Sequence, residues 1–226
     1  MGDSMMTLFI SLAIPLFLMM LVLQGEAKIR MLFIFFGLFS CFFCANINGA
    51  ILELVNMSQY DMTYMVTPIV EEIIKAVPIL IYAFFFNPNR RSILECSILL
   101  GIGFGMLENA FIMLQLQTAS VGLALIRGFG AGLVHGLSTL LVGYGISFVH
   151  LRRKLFFVGT YGLLLTAIIY HACYNLLIQS AWDFSGILIT VIPYIAILLV
   201  SNRTKIHNHI AEIRVRQLEK GEKVDE

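Results

Sequence analysis

The chain has 226 residues, of which 59% are hydrophobic and only 13% charged, and its formal net charge is +1. Soluble domains carry about 25% charged residues, so this composition excludes a water-soluble globular protein, and the near-zero charge offers nothing to a nucleic acid. In lipid every backbone polar group needs an internal partner, and long apolar runs without two-residue alternation then select helices over a closed barrel.

The expected fold is all-α, a polytopic transmembrane helix bundle of about seven spans. In chain order the apolar segments are Ser4–Leu23, Met31–Val55, Tyr64–Phe86, Ile93–Leu114, Val121–His150, Leu155–Ser180 and Ile187–Val200. Most reach the ~20 residues that cross a hydrocarbon core. Asp3 stands where a secretory signal would carry basic residues, so the first segment is expected to be retained. Lys28 and Arg30, then Arg90 and Arg91, then Arg152, Arg153 and Lys154 occupy alternate loops, and Arg203 to Lys223 lie in the tail. The loops between them hold no Lys or Arg. By the positive-inside rule the basic loops are cytoplasmic, so the N-terminus is outside and the C-terminus inside, which needs an odd number of spans. Residues 1–200 read as the bundle, with a core region over 64–180, and residues 201–226 as a cytoplasmic polar tail in which His207 and His209 are solvated.

Ionisable groups inside a span are expensive and need a reason. The third span carries Glu71, Glu72 and Lys75, the fourth Phe104, Glu108 and Asn109, the fifth His135, and the sixth His171 and Asn175. At 1.5 Å per residue, Glu71, Glu108 and His171 fall roughly 10–15 Å below the outer ends of their spans, and His135 about 20 Å below. All five acidic and imidazole groups therefore fall between the midplane and the outer interface. Glu71 and Lys75 share a helix face, as do His171 and Asn175, whereas Glu72 points about a quarter-turn away. Asn46, Asn48 and Glu53 in the second span are expected to bond neighbouring helices, and Cys41, Cys44, Cys96 and Cys173 to pack as small apolar residues. Arg127 either snorkels outward or pairs with a carboxylate, and Ser138 is read as packing. Gly101, Gly103 and Gly105, with Gly128, Gly132 and Gly136, mark close helix packing.

A buried Glu can take a proton from water as a general base, and imidazole and amide N–H groups can hold that water or stabilise an oxyanion. Glu71, Glu72, Glu108, His135 and His171 thus suffice to hydrolyse an amide with no cofactor, supported by Lys75, Asn109, Asn175 and Phe104. The sequence has no HExxH zinc motif. A metal-dependent alternative uses Glu108, His135 and His171 as a three-ligand zinc site with one open position.

Glu71-Glu72-Ile73-Ile74-Lys75 resembles the EExxK motif of the PrsW family of intramembrane proteases, and Phe104 to Asn109 resembles its FxxxEN motif. His135 and His171 resemble the single histidines on the family's two later helices. The resemblance covers about Thr67 to Asn175. The family is similar to the CAAX prenyl protease and bacteriocin-processing group, but in the prenyl proteases the second motif ends in His, which sets this chain apart. The resemblance implies a multi-pass protein of the cell membrane. It also implies an endopeptidase that cleaves membrane-anchored protein substrates near the outer face, with Glu71 or Glu72 activating water. Two other classes use buried carboxylates and imidazoles: a proton-coupled transporter, disfavoured by the absence of a visible inverted repeat, and a non-catalytic membrane scaffold.

Overall fold

The computed structural model describes residues 2–116 and 121–179, together with 188, 191–193 and 195. Among them the chain is all helix and turn, with no strand: α1 (Gly2–Val22), α2 (Gly25–Val55), α3 (Gln59–Met65), α4 (Thr67–Phe86), α5 (Arg90–Gln115), α6 (Val121–Ile146) and α7 (Arg153–Gln179). The chain divides into the units Met1–Thr190 and Val191–Glu226, and all of these helices lie in the first. The last expected span and the polar tail fall almost wholly outside the described residues.

Five helices, Ser4–Val22, Gly25–Val55, Arg90–Gln115, Val121–Ile146 and Arg153–Gln179, are long and apolar enough to cross a membrane. At 20 residues α4 is long enough too, but Glu71, Glu72 and Lys75 break its apolar composition. One boundary differs from the sequence expectation. The apolar run from Tyr64 to Phe86 is two helices, not one, divided at Val66. Pro68 lies in the first turn of α4, where its missing N–H is harmless, and it could not have continued α3. The Ser58 hydroxyl caps α3 by accepting the Asp61 N–H at 3.0 Å. Glu71 consequently sits only one turn, about 6 Å, inside its helix.

Two asparagines make the sharp ends. Asn56 closes α2 at φ 50 and Asn87 closes α4 at φ 45, a left-handed conformation that Asn tolerates better than most residues.

The packing centres on α5, which lies against α2 on one side and α6 on the other, with α7 on α6 and α4 touching α2, α5, α6 and α7. Backbones approach closely where side chains are absent. A Cβ at Gly101 would strike the His135 carbonyl, one at Gly103 the Ile34 carbonyl, and one at Gly37 the Leu100 carbonyl. The stripe expected on α6 is only partly right. Gly128 and Gly132 have nothing near a Cβ, and Gly136 makes ordinary contact, whereas Gly130, Gly143 and Gly145 are tightly apposed to Tyr174, Ser97 and Thr160.

Three apolar clusters enclose a polar centre. One is built on Phe33, Ile79, Ile93, Leu100, Val142, Ile146 and Ala167, towards the ends that carry the basic loops. A second holds Leu38, Cys41, Cys44, Phe104 and Leu107 on the α1–α2 side, and a third Ala131, Val134 and Tyr174. Cys41 and Cys44 are buried free thiols within the second, as expected of packing residues.

Candidate active site

The polar centre begins with α4, whose amphipathicity is inverted. Its buried face is Pro68, Glu71, Glu72, Lys75, Ala76, Ile79 and Ala83. Its exposed face is Ile69, Ile73, Val77, Ile81 and Phe84. A helix that turns its charges inward and its hydrocarbon outward has lipid as solvent and polar partners at its back.

Glu72 is the hub. Its side chain is fully buried, and Oε1 accepts from Lys75 Nζ at 2.6 Å and Ser138 Oγ at 2.9 Å, with His171 Nδ1 at 2.8 Å. Helices α4, α6 and α7 are joined through this one oxygen. Lys75 Nζ also lies 3.2 Å from His135 Nδ1 and 4.8 Å from the centre of the Phe104 ring. An ammonium only donates, so His135 Nδ1 is the acceptor, and its proton sits on Nε2, directed at Glu108 Oε2 at 2.8 Å. The rings of His135 and His171 meet edge to face, 4.8 Å between centroids at 88°. Phe104 lies under His135 at 4.7 Å. The close approach of α5 to α6 at Gly101 and Gly105 holds His135 at this depth.

Glu71 is different. It is buried, and like Glu72 it has an Oε2 without a hydrogen-bond partner among the described residues, but it lacks the three-donor cluster of Glu72 Oε1 and instead lies 3.8 Å from His171 Nε2. The donor atoms of Glu71, His135 and His171 all lie within 4.8 Å of one another. One carboxylate and two imidazoles form a donor set that holds zinc with a position open to water. The orphaned Glu71 oxygen is one that a cation would satisfy, so the residues fit a divalent metal provided that it takes the place of the Lys75 ammonium at His135 Nδ1. The carboxylate of this trio is Glu71; Glu108, which the sequence suggested for it, instead bonds His135.

Around this centre, Asn109 Nδ2 donates to the Arg127 carbonyl at 3.1 Å, and Arg127 Nε returns a bond to Asn109 Oδ1 at 3.3 Å. Arg127 thus pairs with an amide rather than a carboxylate. Asn175 Nδ2 donates to the Thr63 carbonyl at 3.0 Å and ties α7 to α3. A cleft of about 130 Å³ is lined by Thr63, Thr67, Glu108, Arg127, Tyr174 and Asn175, among others, and reaches the centre at Glu108. The structure therefore brings together Glu71, Glu72, Lys75, Phe104, Glu108, His135 and His171, with Asn175 at the cleft and Asn109 bonded to Arg127 beside it. Asn46 only bonds the Phe42 carbonyl of its own helix. Sequence reasoning missed Ser138 and Tyr174. Ser138 follows His135 by three positions and shares its inward face, which was the available signal.

Carboxylates and imidazoles buried in a bundle of lipid-facing helices, with a cleft leading to them, are the arrangement a membrane-embedded hydrolase needs. The family model for the PrsW family intramembrane metalloproteases matches residues 25–201, and the chain belongs to that family of membrane proteases. No curated protein and no solved structure matches.

Proposed function

We propose that the protein is an endopeptidase of the cell membrane that hydrolyses peptide bonds of membrane-anchored proteins, with Glu71 as the base that activates water. The observation that carries this is the contrast between the two adjacent carboxylates. Both keep Oε2 without a hydrogen-bond partner among the described residues, but Glu72 Oε1 is committed to Lys75, Ser138 and His171, whereas Glu71 is held only by a 3.8 Å approach of its Oε2 to His171 Nε2. A water between Glu71, His135 and His171 gives its proton to Glu71 as its oxygen attacks the scissile carbonyl carbon. The C–N bond then breaks, and the amine leaves with the proton from Glu71. Glu72 fixes the orientation of His171, Glu108 that of His135, and Lys75 balances the negative charge of the set.

The basic loops support an outside N-terminus, residues 1–200 as the membrane bundle and residues 201–226 as a cytoplasmic tail. The cleft lies at the helix ends joined by loops without Lys or Arg, so it opens to the outer face, where the flank of an anchored substrate would enter.

A second reading is favoured by the Glu71, His135 and His171 trio and by the family's metalloprotease description. A zinc ion held there would supply Lewis acidity that makes bound water nucleophilic. Glu108 and Glu72 would then hold the two histidines in orientation. Under either mechanism Glu71→Gln abolishes cleavage of a single-span peptide in reconstituted vesicles. Full activity in that variant would remove Glu71 from the chemistry and sink the proposal.

A further inference from the structure

Tyr174 packs by its ring in the third apolar cluster, but its hydroxyl has no part in the chemistry above. It stands one turn after His171 on α7 and is 3% exposed, and its hydroxyl has no hydrogen-bond partner among the described residues. A buried hydroxyl without a partner loses its water without gaining a bond in return. The hydroxyl lies against Gly130 of α6, where an added Cβ would be 2.6 Å from it. Glycine therefore leaves the oxygen its place. The same residue lines the cleft that also contains Glu108, Arg127 and Asn175. The ring is anchored among Ala131, Val134 and the partly buried Tyr170 and Ile178, so the hydroxyl is held on a rigid support.

We infer that the Tyr174 hydroxyl is a catalytic hydrogen-bond donor to the scissile carbonyl oxygen of the substrate. The inference rests on the hydrolase reading of the site. When water adds to the carbonyl carbon, the C=O π pair moves onto oxygen and the water proton passes to Glu71. The Tyr174 O–H donates to that oxyanion and keeps its own proton. When the pair returns to re-form C=O, the C–N bond breaks and the amine takes the proton from Glu71. Nothing beyond water and peptide is consumed. Glu71 comes from α4, and His171 and the hydroxyl from successive turns of α7, which preorganises the donor without reorganisation during the reaction. A phenol suits this place because it only needs to donate, and its ring fills the apolar wall.

The test compares Tyr174→Phe, Gly130→Ala and their combination with wild type and Glu71→Gln. The substrate is the quenched-fluorophore single-span peptide that wild type cleaves fastest from a panel varied in its outer flank, reconstituted in phosphatidylcholine–phosphatidylglycerol vesicles. Tyr174→Phe should lower kcat by about 10²-fold, as loss of one oxyanion donor does, with KM little changed and thermal stability in detergent equal or higher. Gly130→Ala should lower kcat by displacing the hydroxyl, and it should add little in the Tyr174→Phe background, where no hydroxyl remains to displace. Full kcat in Tyr174→Phe beside an inactive Glu71→Gln overturns the assignment and leaves the hydrolase reading intact. A lost kcat with a lowered melting temperature also overturns it, because the hydroxyl would then be bonded within the fold. An active Glu71→Gln removes the reading on which the assignment rests, and the assignment with it.

Discussion

Lys75 Nζ sits 2.6 Å from Glu72 Oε1, with both side chains wholly removed from the surface. A buried pair of this kind adds little when intact, but breaking it is costly, because the remaining charge has no partner. The two neighbouring glutamates should therefore respond differently to the same change. Glu72→Ala should destabilise the protein by about 3–5 kcal/mol and lose activity through disorder of His171. Glu71→Gln should lose activity while melting at or above the wild-type temperature, since the carboxylate replaced is held only by a 3.8 Å approach to His171. Melting curves in detergent beside a cleavage assay decide it; equal melting temperatures for the two variants would contradict the division of roles.

The approach of α5 to α6 at Gly101 gives a second prediction. A methyl group there meets the His135 carbonyl, which is backbone and cannot step aside. Gly101→Ala should cost about 1–3 kcal/mol and reduce kcat by displacing His135. Gly132→Ala, with open space at its Cβ, should be silent in both measurements. A silent Gly101→Ala would mean that the helices part without disturbing the histidine.

Metal content separates the two mechanisms. On the water-and-glutamate mechanism, chelator-treated protein keeps its activity and elemental analysis finds less than stoichiometric zinc. If zinc is present and its removal abolishes cleavage, then Glu71→Ala, His135→Ala and His171→Ala should each lose it, because their donor atoms converge within 4.8 Å. Glu108→Ala should weaken binding rather than eliminate it, since its contact is with His135 Nε2.

Asp61, in the short helix before α4, carries a pH signature. Hydrogen bonds from the Ser58 and Tyr64 hydroxyls hold its carboxyl below the usual carboxylate range. A lowered folded-state value means that its contribution is complete above the unfolded pKa and fades as pH falls through the folded one. The cap on α3 should therefore be intact at neutral pH and loosen in acid, seen as faster amide exchange over residues 59–65. Asp61→Asn should remove that acid dependence.

Much of this was legible in residue order, and what was not has physical reasons. The boundaries of α2, α5 and α7 follow the apolar runs within a few residues, because lipid-facing helices are hydrophobic nearly all round. The join at Val66 was hidden for the same reason: Tyr64, Met65, Val66 and Thr67 continue the run, and only Pro68 hints at the break. Glu71, Glu72, Glu108, His135 and His171 stood out as ionisable groups in apolar surroundings. Their division of labour did not, since a quarter-turn between adjacent residues decides whether a carboxylate meets Lys75 and Ser138 or only approaches His171. Ser138 was passed over because a serine three positions from a histidine is ordinary helix packing unless a carboxylate faces it. The small-residue stripe on α6 held in part: Gly132 and Gly136 present their Cα atoms to Gly105 and Gly101 of α5, but nothing lies near Gly128, and proximity to Tyr174, Ser97 and Thr160 added Gly130, Gly143 and Gly145.

The inverted face of α4 bears on how the chain is built. A segment offered singly to a bilayer meets a cost of up to about 2.5–3.5 kcal/mol for a charged residue at its centre, less towards its ends, and α4 has three such residues in its first half. Its partners Ser138 and His171 are synthesised 66 and 99 residues later. Nascent chains truncated just after Asn89 are accordingly expected to leave α4 poorly integrated, as glycosylation mapping would report. Lengthening them past Gln179 should restore it, so that assembly of this protein is a collective event rather than a procession of single helices.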